Sequence, residues 1–235
     1  MRQLTIAGLA GLCAFGLLGC DPEAAADKMD AKRAESVAAD AAKELAEPPT
    51  PIKLAPEDGD EVAIIETEQG RIVVMFHPER APKHVENFKT LARKGFYDGT
   101  RFHRVMPRFM IQGGDPNSRD LEKSGTWGSG GNIGADGKEI NIVAEFNEIK
   151  HVPGILSMAR SDDPNSASSQ FYIMHGTASW LDRQYSAFGR VVEGMDVVDE
   201  IVEASVLKVP EDGVVFPKLA VVIKKITVVT WPIGD

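Results

Sequence analysis

The sequence predicts a mainly β domain, a barrel or sandwich that carries helices. Two observations point there. Short runs rich in β-branched and aromatic residues recur at hairpin spacing, and only two segments have helical periodicity, on opposite flanks of the domain. Repeated strand–helix–strand units, the mark of a βαβ fold, are absent.

Glu61–Thr67 (EVAIIET) and Arg71–Phe76 (RIVVMF) are β-rich and are split by Glu68, Gln69 and Gly70, which predicts a hairpin. A helix is expected over 81–93. Pro82 suits its first turn, Val85, Phe88 and Ala92 share one face, and Gly95 lies where a C-terminal cap belongs. Further strands are expected at 101–105, 109–112, 155–158, 170–174 and 186–192. Residues 194–204 read as the second helix, with Val197, Val198, Ile201 and Val202 inward, and 219–230 as the closing strand.

The chain has 235 residues, 43% of them hydrophobic, so one ordinary domain with appendages fits. Its net charge of −9 argues against a nucleic-acid partner bound through a basic surface. Much of that acidity is local. Residues 21–60 contain 11 acidic and 5 basic side chains and Pro48, Pro49 and Pro51; within them 21–47 is rich in alanine and has almost no large apolar side chain. Such a segment cannot build a core and reads as a solvated tether. As a flexible coil of about 40 residues it would span roughly 35 Å.

Ahead of the tether, 13 nearly pure apolar residues run from Ile6 to Leu18 behind Arg2. That is the length of a signal-peptide core and short of the roughly 20 residues that cross a bilayer. The run ends Leu17-Leu18-Gly19-Cys20, which resembles the lipobox of bacterial lipoproteins. The resemblance implies lipid attachment at Cys20 after removal of residues 1–19. The protein is then expected in the cell envelope, anchored to a membrane. Asp21 resembles the signal that keeps Gram-negative lipoproteins on the periplasmic face of the inner membrane. Cys13 would leave with the signal, so the mature chain would have no free thiol.

Common catalytic and cofactor motifs are missing. The five histidines form no HExxH pair. The glycine-rich segment 125–134 (GTWGSGGNIG) lacks the Lys-Ser/Thr of a phosphate loop and the third glycine of GxGxxG, and Ser129 lacks the first glycine of GxSxG. It reads as a flexible surface loop. No metal or cofactor is expected.

What remains is a dense signature: FHRVMPRFMIQGGD at 102–115, GILSMAR at 154–160, SQFYI at 169–173 and WLDRQYSAFG at 180–189. In order and spacing these resemble the cyclophilin family of peptidyl-prolyl isomerases over about 61–230. The resemblance implies an eight-stranded antiparallel closed β-barrel capped by two α-helices, here spanning 61–235. It also implies isomerisation of X–Pro bonds in proline-containing polypeptides, here exported proteins during folding. Nothing in the sequence suggests more than a monomer. It assigns Arg104, Phe109 and Gln112 to catalysis. Met110, Tyr172, Leu181 and Tyr185 would form the proline socket and its rim, and Ala159, Arg160 and Gln170 the adjoining groove. Trp180 matches the residue that favours cyclosporin-type ligands.

Alternation along a strand puts Met110 and Gln112 on one face and turns His103 away from Arg104. Three positions depart from the family pattern. Tyr172 stands where phenylalanine is usual and brings a hydroxyl that wants a partner. Tyr185 replaces a frequent histidine, and Arg160 a common asparagine. The alternative reading is a tethered, non-catalytic module or adaptor that binds proline peptides through the same groove.

Overall fold

The computed structural model describes residues 51–206 and 219–234. Cys20, the signal and most of the tether lie outside the described residues. Alternating apolar residues make eight strands: β1 Glu61–Thr67, β2 Arg71–Phe76, β3 Arg104–Met106, β4 Met110–Gly113, β5 Ile155–Met158, β6 Phe171–Met174, β7 Ala187–Glu193 and β8 Ile223–Thr230. Helix α1, Pro82–Arg93, follows β2, and helix α2, Met195–Val206, follows β7. Pro82 opens α1 and Gly95 follows its cap residue Lys94 with φ +66°.

The strands form one antiparallel sheet in the order β3-β4-β6-β5-β7-β2-β1-β8. One face of the sheet wraps the core. From β1 and β2 come Ala63, Ile65, Ile72, Val74 and Phe76; from β3 to β6 come Val105, Ile111, Leu156, Met158, Phe171 and Ile173. Both helices feed the same core, α1 through Val85, Phe88, Leu91 and Ala92 and α2 through Val197, Val198, Ile201 and Val202. Phe88 lies at its aromatic centre, 5.1–5.8 Å from the rings of Phe76, Tyr97, Phe171 and Phe188.

The closed barrel that the resemblance implies is corrected to a half-barrel: no ladder joins the edge strands β3 and β8. They are linked by one isolated bridge, Arg101 to Val222, and a few neighbouring backbone hydrogen bonds. The bridge is framed by the Phe102 N–H donating to the Val221 carbonyl at 3.0 Å and the Ile223 N–H to the Thr100 carbonyl at 2.8 Å. The Arg101 N–H faces away from Val222 and donates to the Ser118 hydroxyl at 2.9 Å, and the β3 ladder starts only at Arg104.

Residues 52–60, which by composition belong to the tether, pack with the domain, and the compact unit begins at Ile52. Lys53 pairs with Asp60 at 2.6 Å and Glu57 at 3.0 Å, and Asp60 and Gly59 hydrogen-bond the backbone of Trp231 beyond β8.

Candidate active site

The sheet's other face carries the site. Residues of β3 to β6 that do not enter the core point outward. Register then aligns one residue from each of four adjacent strands: Arg104 opposite Gln112, Gln112 opposite Tyr172, and Tyr172 opposite Ser157. Cross-strand partners sit about 5 Å apart, so this row runs roughly 15 Å across the sheet. The neighbouring row is Met106, Met110 and Met174.

Over these rows opens a pocket of about 160 Å³. Its lining is Arg104, Phe109, Met110, Gln112, Ala159, Arg160, Tyr172, Leu181 and Tyr185. Met110, Tyr172 and Leu181 are buried, and Phe109 and Tyr185 are half-exposed at the rim. The pocket is thus an apolar socket with two guanidinium groups and no carboxylate in its wall. Arg104 donates from Nη2 to the Met106 sulfur at 3.2 Å. Gln112 donates from Nε2 to Gln170 Oε1 at 2.9 Å.

Two of the expected residues stand apart from the socket. Trp180 is 63% exposed and faces the Phe109 ring at 5.9 Å. Gln170 lines a second, polar pocket of about 240 Å³, which shares Gln112, Ala159 and Arg160 with the first. Its far wall is the glycine-rich segment: Gln170 Nε2 donates to the carbonyls of Gly128 at 2.9 Å and Gly130 at 2.8 Å. These contacts give the loop a built role that its composition hides.

Arg160 ties the rim together. Its guanidinium lies 4.5 Å from the Tyr185 ring and 5.9 Å from Phe146, and it donates to the carbonyls of Ser161, Asp162 and Gln184. Two non-glycine residues with positive φ flank the socket, Arg108 (60°) just before Phe109 and Arg183 (59°) two before Tyr185. That conformation is uncommon for residues with a Cβ, and here it turns the chain so that the next residues face the pocket.

Behind the row lies a polar chain. His151 Nε2 is 3.2 Å from the Ser157 hydroxyl, and its Nδ1 is 3.2 Å from Asp182, which also pairs with Lys150 at 3.1 Å. Burial holds the His151 pKa below the ordinary histidine value, against the opposing pull of Asp182. The ring of His151 stacks on that of Tyr172 at 6.2 Å. The Tyr172 hydroxyl, which the sequence shows to need a partner, makes no well-aligned hydrogen bond among the described residues, Ser157 being its neighbour. Burial raises its pKa, with Ser157 acting the other way. His103, next to Arg104, does face away. It is buried, and burial holds its pKa low against Asp115. Among the described residues no group of three or more His, Cys, Asp or Glu side chains could hold a metal ion.

Comparison with known proteins agrees with this geometry. The family described as "Cyclophilin type peptidyl-prolyl cis-trans isomerase/CLD" matches residues 62–228. The chain belongs to the cyclophilin family. Its sequence is 40% identical over 151 residues to a Brucella abortus protein named "Probable peptidyl-prolyl cis-trans isomerase", covering 63% of this chain and 74% of that one. It is 43% identical over 133 residues to a Schizosaccharomyces pombe peptidyl-prolyl cis-trans isomerase, covering 57% and 79%. A crystal structure of a Cryptosporidium parvum cyclophilin-type isomerase, solved in the presence of the dipeptide Ala-Pro, superposes with a TM-score of 0.60 at 27% identity, covering 72% of this chain and 99% of that one.

Within this cyclophilin domain, sequence reasoning misses Ser157, His151 and Asp182 as supports of the socket. Their signal is register and a contact between residues 31 positions apart, which no local pattern carries. It also misses Asp115, whose buried carboxylate anchors the glycine-rich loop.

Proposed function

We propose that Arg104 gives this cyclophilin its peptidyl-prolyl cis-trans isomerase activity, with the proline ring seated in the socket of Phe109, Met110, Tyr172 and Leu181. The observation that carries this is a cation beside an apolar pocket of proline size, with Gln112 on the neighbouring strand. Rotation about an X–Pro bond breaks no covalent bond but must remove amide resonance, a barrier of about 18–20 kcal/mol. In the twisted amide the proline nitrogen regains its lone pair and accepts a hydrogen bond. The planar ground-state nitrogen cannot. A guanidinium donor aimed at that nitrogen therefore stabilises the transition state selectively. No proton is transferred, so no titrating acid or base is required.

The test is the cis-to-trans rate of an X–Pro peptide with the full chain and with Arg104→Ala. The substitution is expected to lower kcat/KM about a hundredfold. Equal acceleration by the two proteins, or none by the native chain with peptide binding retained, would favour the non-catalytic binding module.

The substrates fit proline-containing segments of exported polypeptides, with the domain held at a membrane of the cell envelope through lipid on Cys20. The motif Leu-Leu-Gly-Cys at the end of a short apolar run and the acidic segment after it support this. Two or more acyl chains, at about 0.8 kcal/mol per buried methylene, make such an anchor stable. Mass spectrometry of the mature N-terminus should find acyl chains there. Membrane association that survives Cys20→Ser would end the proposal.

A further inference from the structure

We propose that Asp115, together with the glycine-rich loop it pins, is a positioning device for Arg104, acting through Gln170 and Gln112. The proposal rests on the isomerase reading in so far as Arg104 is the group positioned.

The side chain of Asp115 is fully buried. A buried carboxylate is costly unless its oxygens are hydrogen-bonded. Here the two oxygens hold two different segments: Oδ1 accepts from the Asn117 N–H at 2.8 Å, and Oδ2 from the Gly128 N–H. The carboxylate thereby pins the loop to the chain just beyond β4. Gly128 adopts φ +87°, and a Cβ at Gly130 would lie 2.2 Å from Asp115 Oδ1, so glycine is required at both. Trp127 adds a second staple, its indole N–H shared between the carbonyls of Asn117 and Asp120.

The pinned loop presents the carbonyls of Gly128 and Gly130 to Gln170 Nε2. An amide nitrogen has two hydrogens, and both are used. Rotating the amide by half a turn would set its oxygen against two carbonyl oxygens. Gln170 therefore turns Oε1 outward, where it accepts from Gln112 Nε2. That contact fixes Gln112 in turn. Its nitrogen faces Gln170, and its oxygen is left as an acceptor for the strand that carries its partner Arg104, a donor-only guanidinium. Hydrogen-bond polarity is thus set at a buried carboxylate and passed through two amides to the edge of the socket. The loop's exposed glycines serve this by exposing backbone carbonyls.

The test uses the full chain and NMR, with three readouts: on-enzyme cis–trans exchange of an Ala-Pro peptide, its dissociation constant, and the side-chain amide resonances of Gln112. Asp115→Asn can keep the Asn117 contact through its oxygen but sets an NH2 against the Gly128 N–H. Its exchange rate is expected to fall about tenfold, as small misplacements near the reacting atoms do. The dissociation constant should stay within about threefold, and the Gln112 resonances should move. In a Gln170→Leu background the relay is already cut, and the same substitution should change the rate less than about twofold. An unchanged rate, an equal loss in both backgrounds, or a dissociation constant rising in step with the rate loss would overturn the proposal. If Asp115→Asn does not fold, Gly130→Ala breaks the same clamp from the exposed side and is read by the same criteria. A native chain without acceleration defeats the isomerase reading. Gln112 resonances unmoved by Asp115→Asn defeat the relay whatever the activity.

Discussion

The same four strands, β3 to β6, have two faces made of different material. The inner face is aliphatic and aromatic: Val105, Ile111, Leu156, Met158, Phe171 and Ile173, all in one dry core. The outer face mixes methionines with Arg104, Gln112, Tyr172 and Ser157, and its polar groups reach partners such as Met106, Gln170 and His151. Phe171 and Tyr172 are neighbours in sequence and both are buried, yet they belong to opposite sides. The inner face fixes where the strands lie. The outer face uses that fixed register to bring residues 68 positions apart into one row. Stability and chemistry are separated by the two-residue period of a strand.

The most forceful way to break this comparison is Phe171→Ala. The ring contacts Phe88, Tyr97 and Phe102 at 5.2–6.3 Å and is fully buried, so its loss should cost about 3–5 kcal/mol. Denaturant titration would measure this. Below the unfolding transition, activity per folded molecule should be largely kept, the reverse of Arg104→Ala, which should spare stability and remove activity. If Phe171→Ala loses activity in the cold while fully folded, the two faces are not separable.

Next in size is a pH effect that falls on both faces. His77, His84, His103 and His151 are all buried, and burial is the main cause that lowers each pKa, against Glu79, Glu145, Asp115 and Asp182 respectively. The folded protein thus holds them neutral, while the unfolded chain takes up protons near the ordinary value of about 6.5. Their contribution is complete above that pH and is lost as pH falls below it, by at most about 1.4 kcal/mol per histidine at pH 5.5. Melting temperatures should therefore drop between pH 7.5 and 5.5. His151→Asn should flatten part of that slope, from the outer face alone. A melting temperature constant over this range would contradict the assignment.

How much of this was legible depends on how far apart the interacting groups lie. The β1–β2 hairpin and α1 follow from local alternation, Pro82 and Gly95, and the structure places them within a residue or two of expectation. The socket residues Phe109, Met110, Tyr172 and Leu181 came from motif resemblance and do converge. Closure of the barrel was not legible, because it turns on how the segments around Arg101 and Val222, 121 residues apart, meet. The loop at 125–134 read as flexible because glycine signals freedom in a sequence. What restrains it is Gln170, about 40 residues away, and a carboxylate that no periodicity marks. Residues 52–60 read as tether by composition, yet Ile52 packs against the cluster of Met110, Tyr172 and Leu181, and the bonds to Trp231 hold the segment against the domain.

The smallest expected effect is also the sharpest comparison, because it concerns the neighbour of Phe171. The Tyr172 ring walls the socket, but its buried hydroxyl makes no well-aligned hydrogen bond among the described residues. An unsatisfied buried hydroxyl is a net cost, so Tyr172→Phe should raise stability by about 1 kcal/mol. It keeps the ring and should leave kcat/KM within about twofold. Adjacent aromatic residues would then respond to substitution with opposite signs, the inner one supporting the fold and the outer one lightly burdening it. A loss of stability in Tyr172→Phe would mean that an ordered water links the hydroxyl to the Ser157–His151–Asp182 chain. The double variant with Ser157→Ala separates these cases. The gain from removing the tyrosine hydroxyl should persist if the group has no partner, and the loss should largely vanish if it works through Ser157.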